Sequence, residues 1–189
     1  MRRLPLFILL AWFAALPAVL ADTVGGSFPR VEAKTFDKKK FVFPDDLRAT
    51  RLNLVFLIMA TDRDDGEKLQ LALIEWQSAL EQRGALVDGV MAWHIPVLSG
   101  MPFFVKGVVA KAMGKVYEGK VPLDQAAVLF VDDLDKFAVA SGQVIDNQPT
   151  IVITTPDARQ LQTFKGDVTP EGADEVTKAI AAYLADANK

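Results

Sequence analysis

The 189-residue chain is 51% hydrophobic and carries 24 acidic against 21 basic side chains, a formal net charge of −3. The two signs are interspersed, so no basic face for nucleic acid is present and the acidic excess is too small to specify a cationic partner. With no cysteine and a single histidine, catalytic thiols, thiolate metal centres, iron–sulfur clusters and histidine-rich metal sites are excluded.

Arg2 and Arg3 precede a nearly continuous apolar run from Leu4 to Leu20, and Val19-Leu20-Ala21 puts small residues at −3 and −1 of a cleavage site. This pattern predicts a secretory signal peptide over residues 1–21, leaving a domain of residues 22–189 in the periplasm. An uncleaved anchor is the competing reading, although the run is a little short for a span of about 20 residues. No later apolar run is long enough to cross a membrane, so no stable insertion is expected after cleavage. Exported proteins can form disulfides; this one has none to form.

Asp22 to Ser27 is a polar lead-in. Phe28 to Phe43 carries apolar residues around an Asp37-Lys38-Lys39-Lys40 turn, which suggests a β-hairpin. Leu52 to Ala60 is continuously apolar and short, the signature of a strand buried on both faces. After a polar loop, Asp64 and Glu67 have the form of a capping box. The helix that follows places Leu69, Leu73, Trp76 and Leu80 on one stripe, and Gly84 sits where a C-cap glycine belongs.

Val87 to Leu98 is extended and ends at Pro96. Met101 to Tyr117 is predicted helical with Phe104, Val108 and Met113 inward, although Gly107 and Gly114 weaken it. Ala126 to Val131 is another buried strand, and Leu134 to Ala140 a short helix closed by Gly142. Thr150 to Thr154 and Arg159 to Phe164 form a hairpin about Pro156-Asp157. Thr169 caps a last helix with Pro170 at its first position and Ala173, Val176, Ile180 and Leu184 as its apolar stripe. There is no repeat or linker, so a single domain is expected. Strands alternating with helices argue for an α/β fold with a mostly parallel central sheet and an antiparallel edge.

Gln148-Pro149-Thr150, then Ile151-Val152-Ile153, Pro156-Asp157, Gly166 and the helix from Pro170 follow the order of the C-terminal half of thioredoxin. The mature chain resembles the thioredoxin-like superfamily and, within it, the peroxiredoxin-like branch, through Phe28-Pro29, a hairpin before the first buried strand, and an inserted helix and strand. It is most similar there to YtfJ-type periplasmic proteins. The resemblance implies a three-layer fold, with a mixed central β-sheet flanked by helices and an N-terminal β-hairpin. Relatives carry a reactive cysteine after the first central strand, where a helix N-terminus lowers its pKa. Here that loop is Ala60-Thr61-Asp62-Arg63-Asp64-Asp65-Gly66. Neither thiol–disulfide exchange nor peroxidase activity is expected, and no cofactor is implied.

In thioredoxins the proline of the Xaa-Pro-Thr segment is cis. A cis Pro149 would expose the Gln148 backbone beside Thr61 and Asp62, where main-chain pairing with a peptide needs no cysteine. Thr61, Asp62, Gln148 and Pro149 are therefore the candidate binding residues, for an envelope protein or peptide held by a non-redox binding or assembly module. Two alternatives stand beside this: a metal-assisted enzyme using the Asp62–Asp65 loop, or a structural, stress-related envelope protein. The carboxylates of that loop, and Asp132, Asp133 and Asp135, either cap helices or hold a divalent cation, and no residue is assigned as a metal ligand. His94 reads as a strand-end histidine with a satisfied hydrogen bond, or as a general base without a readable partner. The stretch from Phe103 to Tyr117 reads as core, or as an exposed apolar groove for a partner.

Overall fold

The computed structural model describes residues 21–22, 27–61 and 63–186. The predicted signal peptide lies outside these residues except for Ala21, as does Asp62. Among the described residues, eight strands form one mixed sheet in the order β1-β8-β7-β4-β5-β6-β2-β3. The strands are β1 (Ala21–Asp22), β2 (Val31–Thr35), β3 (Lys40–Phe43), β4 (Leu52–Met59), β5 (Val90–Ser99), β6 (Ala127–Val131), β7 (Thr150–Thr154) and β8 (Gln160–Lys165). The helices are α1 (Arg63–Gln82), α2 (Phe103–Tyr117), α3 (Leu134–Ser141) and α4 (Pro170–Asp186). β4, β5 and β6 run parallel; β7, β8 and the β2–β3 hairpin join them antiparallel. The expected three layers, mixed sheet and N-terminal hairpin are all present, but the sheet is not mostly parallel: only the β4–β5 and β5–β6 pairings among the described strands are parallel.

β4 explains the layering. Its eight residues are all buried, and alternation sends them to opposite sides. Leu54, Phe56 and Ile58 join the core under α1 and α4, with Leu73, Trp76, Leu80, Val176 and Ile180. Val55, Leu57 and Met59 join the core under α3 and the hairpin, with Phe41, Phe43 and Phe137. Each large side chain so buried contributes about 1.5–3 kcal/mol. The one polar residue of the strand, Asn53, is bonded at both ends of its amide. Its Nδ2 donates to the Thr155 carbonyl at 3.0 Å, and its Oδ1 accepts from Ala49 N at 3.1 Å and Trp93 Nε1 at 3.2 Å.

The helices follow their sequence signals at most ends. Thr169 Oγ1 accepts from Gly172 N at 3.0 Å at the start of α4. Asp133 Oδ1 accepts from Lys136 N at 3.0 Å at the start of α3, and Gly142 closes that helix with φ 65°. Trp76, on the apolar stripe of α1, also donates its indole N–H to the Gly166 carbonyl at 2.9 Å.

Four further expectations are corrected. α1 begins at Arg63, so Asp64 stands inside the first turn rather than capping it; its charge still suits the positive end of the helix. β5 does not end at Pro96 but runs on to Ser99. Its pairing with β6 is interrupted between the isolated His94–Ala126 bridge and Val97, and the gap holds Pro96, which has no N–H to give. His94 therefore lies in mid-strand, not at a strand end. In α2, Phe104 and Val108 face solvent, 81% and 70% exposed, and only Tyr117 is buried. Gly114 is at home in that helix: a Cβ there would stand 3.2 Å from Phe36 of the hairpin turn, so the small residue permits the close approach. No helix among the described residues is long and apolar enough to cross a membrane.

Candidate functional site

The sheet changes direction of winding at β4, which has parallel β5 on one side and antiparallel β7 on the other. Ligands of open α/β sheets bind beyond the carboxyl ends of strands at such a point. A cavity of about 990 Å³ lies there. Ala60 and Thr61 enter it from the end of β4, Leu98 and Ser99 from β5, and Asp132 from beyond β6. The first two turns of α1 contribute Glu67 and Gln70, and α2 forms an apolar wall with Val109, Met113 and Val116. Gln70 Nε2 donates to the Met113 carbonyl at 3.0 Å and ties that wall to α1.

Of the four candidate binding residues, Thr61 is exposed and lines this cavity. Asp62 lies outside the described residues. Gln148 is exposed and Pro149 is buried, and both stand beyond the cavity lining. The loop after β4 and the segment before β7 are nevertheless neighbours, because Asn147 Nδ2 donates to Asp65 Oδ2 at 2.9 Å. The bond before Pro149 is trans; the cis X-Pro bond of the described residues is Phe43–Pro44. The Gln148 main chain is locally engaged as well: its N–H donates to Asp146 Oδ1 at 3.3 Å and its carbonyl accepts from Thr150 Oγ1 at 3.1 Å. The exposed backbone that a cis proline would have created there is replaced by an exposed Gln148 side chain.

Two carboxylates near the cavity have structural duties. Asp133 caps α3, and the Lys136 backbone N–H holds its carboxyl below the ordinary range. Asp65 bonds Asn147 and pairs with Lys68 at 3.5 Å. Among the described residues no group of three metal-ligating side chains converges.

His94 belongs to a different place. It is buried on the α1 side of β5, its ring stacked on Phe56 of β4 with centroids 4.8 Å apart and set edge-on to Tyr117 at 5.0 Å. Its Nε2 bonds Gln77 Oε1 at 2.7 Å, while Nδ1 has no partner. Burial lowers its pKa to about 3, so the imidazole is neutral. The expected satisfied hydrogen bond is present on one nitrogen only. The Tyr117 hydroxyl has no partner at full hydrogen-bond geometry, and burial raises its pKa against a smaller opposing effect of the nearby Gln70 amide.

No protein-family model and no curated protein matches the sequence. Solved structures do. BsSco, a member of the Sco family of cytochrome c oxidase assembly proteins, superposes with a TM-score of 0.58 at 13% identity, over 87% of this chain and 96% of that one. The thioredoxin domain of a thiol-disulfide oxidoreductase from Bacteroides vulgatus gives 0.50 at 13% identity, over 84% and 98%. The fold is thioredoxin-like. Yeast Sco1 with copper bound gives 0.54 at 11% identity, over 84% and 95%.

Copper is a fair question for a thioredoxin-like fold with that neighbour, and the residues here do not fit it. Soft thiolate and thioether ligands, and imidazole, favour copper. This chain has no cysteine, and its one imidazole is buried against Gln77, away from the cavity lining. Among the described residues that line the cavity, the soft ligands are the two thioethers of Met101 and Met113, with no thiolate or imidazole beside them to complete a site.

Sequence reasoning found the loop after β4 and offered the stretch from Phe103 to Tyr117 either as core or as an exposed apolar groove, without joining the two into one cavity. Leu98 read only as the end of an extended segment. The available signal was topological: the carboxyl ends of β4, β5 and β6 had to lie together once the sheet was parallel there.

Proposed function

We propose that this chain is a non-redox binding or assembly module that holds a segment of a partner protein in the cell envelope. The observation that carries the reading is the cavity itself. It occupies the place where thiol-bearing relatives keep their cysteine, it is walled by apolar side chains, and it contains no thiol. Such a site can recognise without reacting: apolar walls supply affinity, and a few polar groups at the mouth fix orientation. Thr61, which Asp62 follows in the sequence, serves as one lip, and the exposed side chain of Gln148, beside Pro149, extends the surface past the Asn147–Asp65 bond. The export signal over residues 1–21 supports a periplasmic location, and assembly is the role named for the Sco family to which BsSco belongs. Phe28-Pro29 and the hairpin ahead of β4 support a lineage near the YtfJ-type proteins of the peroxiredoxin-like branch.

A photocrosslinking amino acid at Ala112, which lines the cavity, and another at Glu175, exposed on α4, test the reading in living cells. A discrete crosslinked partner from position 112, absent from position 175 and reduced by Thr61→Trp, is the expected result. Identical products from both positions, or insulin reduction at an enzymatic rate by the purified protein, would overturn it.

A further inference from the structure

The outward side of α2 combines two chemistries. At 100° per residue Phe104, Val108, Lys111 and Lys115 share one side of the helix, and all four are exposed. At its start Phe103 is 89% exposed and Phe104 81%. No carboxylate occurs between Met101 and Tyr117, although the chain as a whole is net negative. Lys106 leaves the stripe, its ammonium lying 5.4 Å from the centre of the Phe130 ring. The acids around it are Glu118, just past the helix, and, across the cavity, Glu67 and the aspartates at 132, 133 and 135.

We propose that α2 docks the protein onto the surface of an anionic phospholipid bilayer. Phe103, Phe104 and Val108 enter the boundary with the acyl chains, and Lys111 and Lys115 meet the phosphates above it. Charge complementarity selects this occupant. A second copy of the chain packed symmetrically on this face would bring lysines towards lysines with no carboxylate of α2 between them, whereas a headgroup layer supplies the missing anions. The contact is adsorption, because 15 residues of helix are too short to span. Of the five side chains in this contact, Val108 is shared with the cavity lining and the other four are not.

The test uses the full chain, whose lack of cysteine allows one labelled position. Gly107 points into open space on the same side of α2, so Gly107→Cys with a polarity-sensitive fluorophore reports the local environment. The apolar residues 4–20 can bind vesicles on their own, so the emission at 107 is the readout rather than sedimentation. Vesicles containing phosphatidylglycerol should shift that emission to the blue, and pure phosphatidylcholine should not. Lys111→Glu with Lys115→Glu should weaken the response about 20-fold or more, and Phe103→Ser with Phe104→Ser should abolish it. Both double variants change exposed side chains, and far-UV circular dichroism checks their folding. Unchanged emission on phosphatidylglycerol, or an equal response from the four-substitution variant, would overturn the proposal. So would a shift that follows protein concentration without vesicles, which would assign the face to a second copy.

Discussion

β4 and α2 are both apolar stretches in the sequence, yet they meet opposite fates. Every residue of β4 is buried, whereas α2 buries only Tyr117. β4 lies between two strands and under helices on both faces, so each side chain finds a neighbour whichever way it points. α2 lies against one end of the molecule and has a single covered side. Burial is thus a property of what surrounds an element, and an apolar composition shows only that burial is possible.

The comparison can be broken most severely at Phe56. Its replacement by alanine should cost about 3–5 kcal/mol in denaturant unfolding, because it removes a ring packed in the centre of the core. A loss below about 1 kcal/mol would mean that β4 is not the keel it is taken to be.

Next in size is a pH effect at the same place. His94 has a folded pKa of about 3 against an ordinary 6.5, so the neutral form is the folded one. Its contribution is complete above pH 6.5 and declines as pH falls from 6.5 towards 3, where the unfolded chain takes a proton that the folded chain refuses. The slope is about 1.4 kcal/mol per pH unit across that window. Unfolding free energies at pH 7 and 4.5 should therefore diverge by less in His94→Phe than in the unaltered protein. Parallel pH profiles would show that the imidazole is not held neutral.

Smaller again is Thr169→Ala. It removes the acceptor of the Gly172 N–H and should lower stability by about 1 kcal/mol, read as a drop in thermal midpoint. The smallest effect sharpens the contrast: Phe104→Ser should change stability by no more than about 0.5 kcal/mol. A large loss on that change would mean that α2 is packed in solution after all.

Much of the fold was legible because it follows from local pattern. The run from Leu52 to Met59, the stripe of Leu69, Leu73, Trp76 and Leu80, and the Thr169-Pro170 start of α4 each announce their element with a periodicity or a cap. The site was legible only in part. Thr61 follows from its place after the first central strand. The state of the Gln148–Pro149 bond did not follow, since X-Pro-Thr is compatible with either isomer; the hydrogen bonds of the Gln148 main chain to Asp146 and Thr150 are seen only in the folded chain. Pro96 misled because a proline in a central strand is unusual, and a broken stretch of the β5–β6 ladder accommodates it.

The amino-acid sequence by itself determined that this protein does no thiol chemistry, because no arrangement of the chain can create a cysteine, and it determined the order of strands and helices, because hydrophobic period and caps are local. Only the tertiary structure decided that three strand ends meet to enclose a cavity, that His94 is sealed against Phe56 and Gln77, and that the aromatic start of α2 faces outward. Those outcomes depend on which surfaces are brought together over long stretches of chain, and no local pattern carries that information.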